Sequence, residues 1–127
     1  MNIAKLNIKI DNLENSLIAT VCLKNNRFEG FVITSQNSIF IKGFVNDEFM
    51  SFKLYQKDNN EISENEYTIG KNGDGKIVNE RNNTSINCHV DFNILMLDEY
   101  DENLMINEIQ NAIKLWKNPD QKSLLRK

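Results

Sequence analysis

Every second residue is apolar through Ile86, Cys88, Val90, Phe92, Ile94 and Met96, the spacing at which a strand presents one dry face and one wet face. After Leu97 the period lengthens. Met105, Ile109, Ala112, Ile113 and Trp116 recur three and four residues apart, which on a helix makes a single apolar stripe. That stripe requires a surface to cover, and the preceding strands are the nearest. The pattern predicts a long strand that passes through an acidic corner into a helix from about Glu102 to Lys117, with Asp101 as its N-cap. Asn118-Pro119 ends the helix, because a residue before proline is disfavoured in the helical region.

Shorter alternating runs precede this unit. Leu6, Ile8 and Ile10 predict a first strand. In Leu17 to Leu23 the residues Leu17, Ala19, Val21 and Leu23 share one face, while Ile18, Thr20 and Cys22 share the other. Phe28 to Thr34, Ser38 to Val45 and Phe49 to Gln56 follow as strands, separated by turns at Asn25-Asn26, Gln36-Asn37 and Asn46-Asp47. Lys57 to Glu66 is polar and acidic and reads as a loop, with a hairpin tip as the alternative; Tyr67 and Ile69 restart a short strand that Ile77-Val78 briefly resumes. Between them, Gly70 to Lys76 holds three of the five glycines and must turn.

No crossover helix fits between such closely spaced strands, so neighbours in sequence pair in space. The expected fold class is α+β: a curved antiparallel β-meander of about six or seven strands, barrel-like, with one C-terminal α-helix packed on it. Aromatic residues fall on both faces of the strands from Phe28 to Tyr55. One helix covers one face, so the sheet must curl on itself, pack on another sheet or meet a second copy in a homodimer. Curling is the simplest answer.

The 127 residues suit one domain, 1–127, with a basic tail over 120–127 that reads as frayed. A net charge of -3 from interspersed residues offers no basic field for a phosphate backbone, which argues against nucleic acid. No apolar run approaches the roughly 18 residues of a membrane span. The N-terminal stretch lacks the apolar segment of a secretory signal, so the expected location is cytoplasmic. Cys22 and Cys88 each sit in an apolar run, as buried reduced thiols do.

Two segments carry a local resemblance. Thr68-Ile-Gly-Lys-Asn-Gly-Asp-Gly-Lys-Ile77 resembles the phosphate-binding loop of ABC-type ATPases, and Ile94-Leu-Met-Leu-Asp-Glu99 resembles their magnesium-binding strand. The resemblance implies backbone amides around phosphates, Lys76 on the terminal ones and a metal-binding hydroxyl after it. Ile77 stands in that hydroxyl position, no amphipathic period follows it, and about 20 residues separate the segments, too few for a crossover helix. The stretch reads as a glycine-rich hairpin turn. Asn72, Asp74 and Gly75 also fall at three EF-hand places, but Gly70 and Arg81 stand where the terminal ligands belong. No cofactor and no metal site is expected.

His89, the only histidine, shares a strand face with Asn87, Asp91 and Asn93. No nucleophile is tied to it by any sequence signature, so it reads as a hydrogen-bonded surface residue, and an enzyme is the less favoured class. The acidic corner is the better candidate. Asp98, Glu99, Tyr100, Asp101 and Glu102 combine charge that suits a helix start with an aromatic anchor. They suggest a small protein-binding module, such as an inhibitor or immunity-type protein, that masks a basic surface on a partner. The alternatives are a barrel enclosing a small apolar ligand and a structural subunit of a larger assembly.

Overall fold

A computed structural model describes residues 1–11, 13–33, 38–58, 61–79 and 84–118. Eight strands follow one another antiparallel: β1 (Asn2–Ile10), β2 (Leu17–Lys24), β3 (Arg27–Ile33), β4 (Ser38–Val45), β5 (Phe49–Asp58), β6 (Glu61–Gly70), β7 (Asp74–Asn79) and β8 (Thr84–Ile94). Helix α1 spans Glu99–Lys117. The curved α+β meander expected from the sequence is present, and it closes completely. β1 pairs with β2 along one edge and with β8 along the other, with Leu6 opposite Ala19 and Phe92. Closure removes both edges and their unpaired amides and carbonyls.

The turns follow their sequence chemistry. Asn25 and Asn26 both take positive φ, 52° and 65°, the pair of left-handed residues that lets a two-residue loop match strand twist. At the β4–β5 turn the Asn46 side chain accepts from the amides of Glu48 and Phe49, each at 2.8 Å. Two expectations are corrected here. Residues 57–58 and 61–66 are strand rather than loop, because β5 and β6 form a long hairpin whose register runs from Phe49–Gly70 to Asp58–Glu61. The strand count accordingly rises to eight. The Gln36-Asn37 turn and the 120–127 tail lie outside the described residues.

Inward-facing residues fill the barrel. Leu6, Ile8, Val21, Phe28, Ile41 and Phe52 are almost wholly buried, and burying each such side chain contributes about 1.5–3 kcal/mol. The Phe52 and Tyr67 rings stack at 4.9 Å with planes 12° apart, and Phe28 lies 6.0 Å from Phe92. An eight-stranded barrel is just wide enough for its own side chains. Glycine lets the wall curve at two of the inward positions. A Cβ on Gly30 would lie 2.1 Å from the Thr20 carbonyl oxygen, and one on Gly43 would lie 2.3 Å from that of Ser51. Adjacent strands approach at those points as only glycine allows.

A second apolar cluster sits outside the wall. Ile3, Cys22 and Phe40 alternate with the inward-facing residues of their strands and yet are buried, because α1 lies across β1, β2 and β3 and its Trp116 packs on Phe40 of β4. Ile113 is the most buried helix residue, and Trp116 reaches Phe40 and Tyr55 at 4.7 and 6.0 Å. The stripe read from the sequence thus covers outward-facing apolar side chains. The helix begins earlier than expected, at Glu99 rather than Glu102. Its N-cap is Asp98 rather than Asp101, for the Asp98 carboxylate accepts the Asp101 amide at 2.8 Å.

Candidate functional site

The β2–β3, β4–β5 and β6–β7 turns, the β8–α1 corner and the start of β1 all lie at one end of the barrel, as the up-and-down topology requires. The corner is built by short-range alternation. The Leu95 amide donates to the Ile3 carbonyl at 2.9 Å, which holds the chain on β1 for one more residue after β8 ends. Leu95 and Leu97 are half-buried, and Met96 between them turns outward. Met96 is 96% exposed and does not extend the dry face of β8, a correction to the pattern read through it. Tyr100 is 77% exposed, and Ile94 and Leu104 are each about half-exposed.

Charge surrounds these apolar groups. Asp98, Glu99 and Asp101 are exposed and Glu102 is half-buried, all around the first turn of α1. Their charge complements the positive helix end, as Lys114 and Lys117 complement the other. The Asp98 carboxylate, close by, raises the pKa of Asp101 above its ordinary value. The five candidate residues are thus consecutive at the helix cap and first turn, four of them exposed and Tyr100 the most prominent aromatic among them. Asp91 does not join them; it lies on the wall beside His89.

His89 occupies the outer face of β8, opposite Asp74 of β7 in the strand register. Its Nδ1 lies 2.9 Å from an Asp74 oxygen and its Nε2 lies 3.2 Å from an Asp91 oxygen. A ring that donates from both nitrogens is the imidazolium. The Asp74 hydrogen bond is the first cause that raises the His89 pKa above its usual value, with Asp91 adding to it. With both nitrogens engaged by carboxylates, the ring offers no free base to a nucleophile. Sequence reasoning missed Asp74 because it lies fifteen residues upstream, in the glycine-rich turn.

That turn is a β-hairpin. The Gly73 amide donates to the Gly70 carbonyl at 3.0 Å, Gly73 has φ of 89°, and the Asn72 carboxamide accepts the Asp74 amide at 3.1 Å. A strand rather than a helix follows it, and Ile94 to Glu99 is a strand end plus a helix cap. The likeness to a phosphate-binding loop ends at the residue spacing. Among the described residues, no group of three or more His, Cys, Asp or Glu side chains is placed to hold a metal ion.

At the same end the barrel holds a cavity of about 280 Å³. Met50, Ile69, Val90 and Phe92 form its apolar floor, and Asp47 on the β4–β5 turn and Lys71 on the β6–β7 turn stand on its rim. Among the described residues, no helix is long and apolar enough to cross a membrane. No protein-family model, no curated protein and no solved structure matches this chain.

Proposed function

We propose that the chain is a small protein-binding module whose docking surface is the β8–α1 corner. The observation that carries this reading is the exposure of two large side chains, Met96 and Tyr100, four residues apart in a corner rich in acidic residues. Large apolar side chains clustered in water and ringed by charge are the mark of an interaction surface. Asp98, Glu99, Asp101 and Glu102 steer a basic partner, while Tyr100 and Met96 supply the contact area that holds it. An inhibitor or immunity-type protein acting inside the cell fits this arrangement, since it masks a basic site by shape and charge and needs no catalytic group of its own.

The test is affinity capture from the native host by the wild-type chain and by a Glu99→Lys/Asp101→Lys variant. One partner retained in stoichiometric amount by the wild type, released by salt and lost by the variant, supports the reading. Identical retention by both chains refutes it. Light scattering of the purified protein distinguishes a structural subunit, which would self-associate with rising concentration.

A further inference from the structure

The cavity at the turn end of the barrel belongs neither to the packed interior nor to the acidic corner. Its floor is made by Met50, Ile69 and Val90, all buried, with Phe92 and Val45 half-buried beside them. The floor thus consists of the last inward side chains of β4, β5, β6 and β8, where the barrel runs out of residues to fill it. Such a floor takes a branched or aromatic hydrocarbon group, and about 280 Å³ holds one of that size.

The rim is polar and carries two opposite charges on separate turns, while Asp91 of β8, which also lines the cavity, is engaged by His89. Asp47 lies on the β4–β5 turn and Lys71 on the β6–β7 turn. Both are exposed, and among the described residues neither takes part in an ion pair. Both turns have a defined shape. Asn46 caps the amides of its own turn, and the Val90 amide donates to the Gly73 carbonyl at 2.8 Å, tying the other turn to β8. The two charges are therefore carried on braced supports across one opening rather than on loose loops.

We propose that this mouth binds a small zwitterion with an apolar side chain, of the free apolar α-amino acid class. The hydrocarbon group enters toward Met50, Ile69 and Val90, the ammonium faces Asp47, and the carboxylate faces Lys71. A neutral apolar molecule would leave both rim charges without partners. A singly charged one would satisfy a single side.

Methyl-resolved NMR titration of the whole chain tests the proposal with three probes: L-leucine, isopentylamine, which lacks the carboxylate, and isovalerate, which lacks the ammonium. L-Leucine is expected to bind with a millimolar dissociation constant, shifting the methyls of Met50, Ile69 and Val90, and each half-molecule to bind several-fold more weakly. Because rim charges are screened by water, Asp47→Asn and Lys71→Gln are each expected to weaken leucine binding by about two- to fivefold. Both positions are exposed turn residues, and an unchanged thermal midpoint verifies that each variant folds. No shift of those methyls up to about 20 mM leucine overturns the proposal, as does equal binding of the three probes or a shift confined to other residues.

Discussion

The ring of Trp116 lies 4.7 Å from the ring of Phe40, and this contact holds the last turn of α1 against the outer wall of the barrel. Phe40 is 1% exposed although it points away from the barrel interior, so the helix completes a core rather than decorating one. Lys57 adds its ammonium 4.2 Å from the indole and donates to the Trp116 carbonyl. Trp116→Ala is therefore expected to cost about 2–3 kcal/mol, less than a fully buried aromatic truncation because the indole is half-buried. Urea unfolding measures it. Trp116 is the only tryptophan, so its fluorescence in the wild type reports the docking of α1 directly.

Gly30→Ala tests the curvature of the wall. The added methyl would lie 2.1 Å from the Thr20 carbonyl oxygen and 2.6 Å from the Val21 Cα, backbone that cannot step aside. A loss of about 3 kcal/mol, or failure to fold, is expected. Gly70→Ala is the control: its methyl would meet nothing closer than 3.4 Å, and its stability should stay within about 0.5 kcal/mol of the wild type.

The His89 arrangement predicts a pH dependence with a definite sign. Its folded pKa lies above the ordinary 6.5, through the Asp74 hydrogen bond first and Asp91 second. The proton bound in the folded state stabilises it. That contribution is complete below 6.5 and is lost as pH rises through the folded value. The urea midpoint of the wild type should fall across this window, and that of His89→Gln should be flatter. An equal slope in both proteins would remove the bridge as its cause.

Helix capping gives two opposed outcomes. Asp98→Ala removes the acceptor of the Asp101 amide and should cost about 1 kcal/mol. Asp101→Asn removes the charge that Asp98 repels while leaving the capping amide in place, and should leave α1 as stable or more so. Helical circular dichroism during thermal unfolding separates the two.

Both thiols should be inert in the folded state. Cys22 lies under α1 and burial pushes its pKa up to about 11, while Cys88 lies inside the barrel and burial raises its pKa as well. Neither forms a disulfide. They stand on β2 and β8 with β1 between them, Cys22 opposite Ile3 and Cys88 opposite Ile10, so about 23 Å of strand also separates them, far beyond disulfide reach. A thiol reagent should modify neither cysteine in native buffer and both in denaturant.

Where burial and period coincide, the fold was legible. Leu6, Ile8, Val21, Phe28, Ile41, Met50, Phe52 and Val90 all alternate in the sequence, and all are buried in the barrel. β6 was not legible. In its outer half both faces meet water and Ile62 is 58% exposed, so pairing of its backbone with β5 specifies the strand and leaves no mark in the pattern. The helix start was misplaced because Asp98 and Asp101 are equally good caps by residue type. The corner residues Asp98 to Glu102 could be read from charge and position. The His89–Asp74 pair and the Asp47–Lys71 rim could not, since each depends on the register at which consecutive strands pair.

Closure between β1 and β8 also sets an order of events during synthesis. Residues 2–10 emerge roughly seventy residues before 84–94, which at ordinary translation speed is a delay of about 4 to 15 seconds. Throughout it β1 can pair with β2 but has nothing on its other side. The nascent chain thus carries a bare strand edge until β8 arrives, and the ring seals only then.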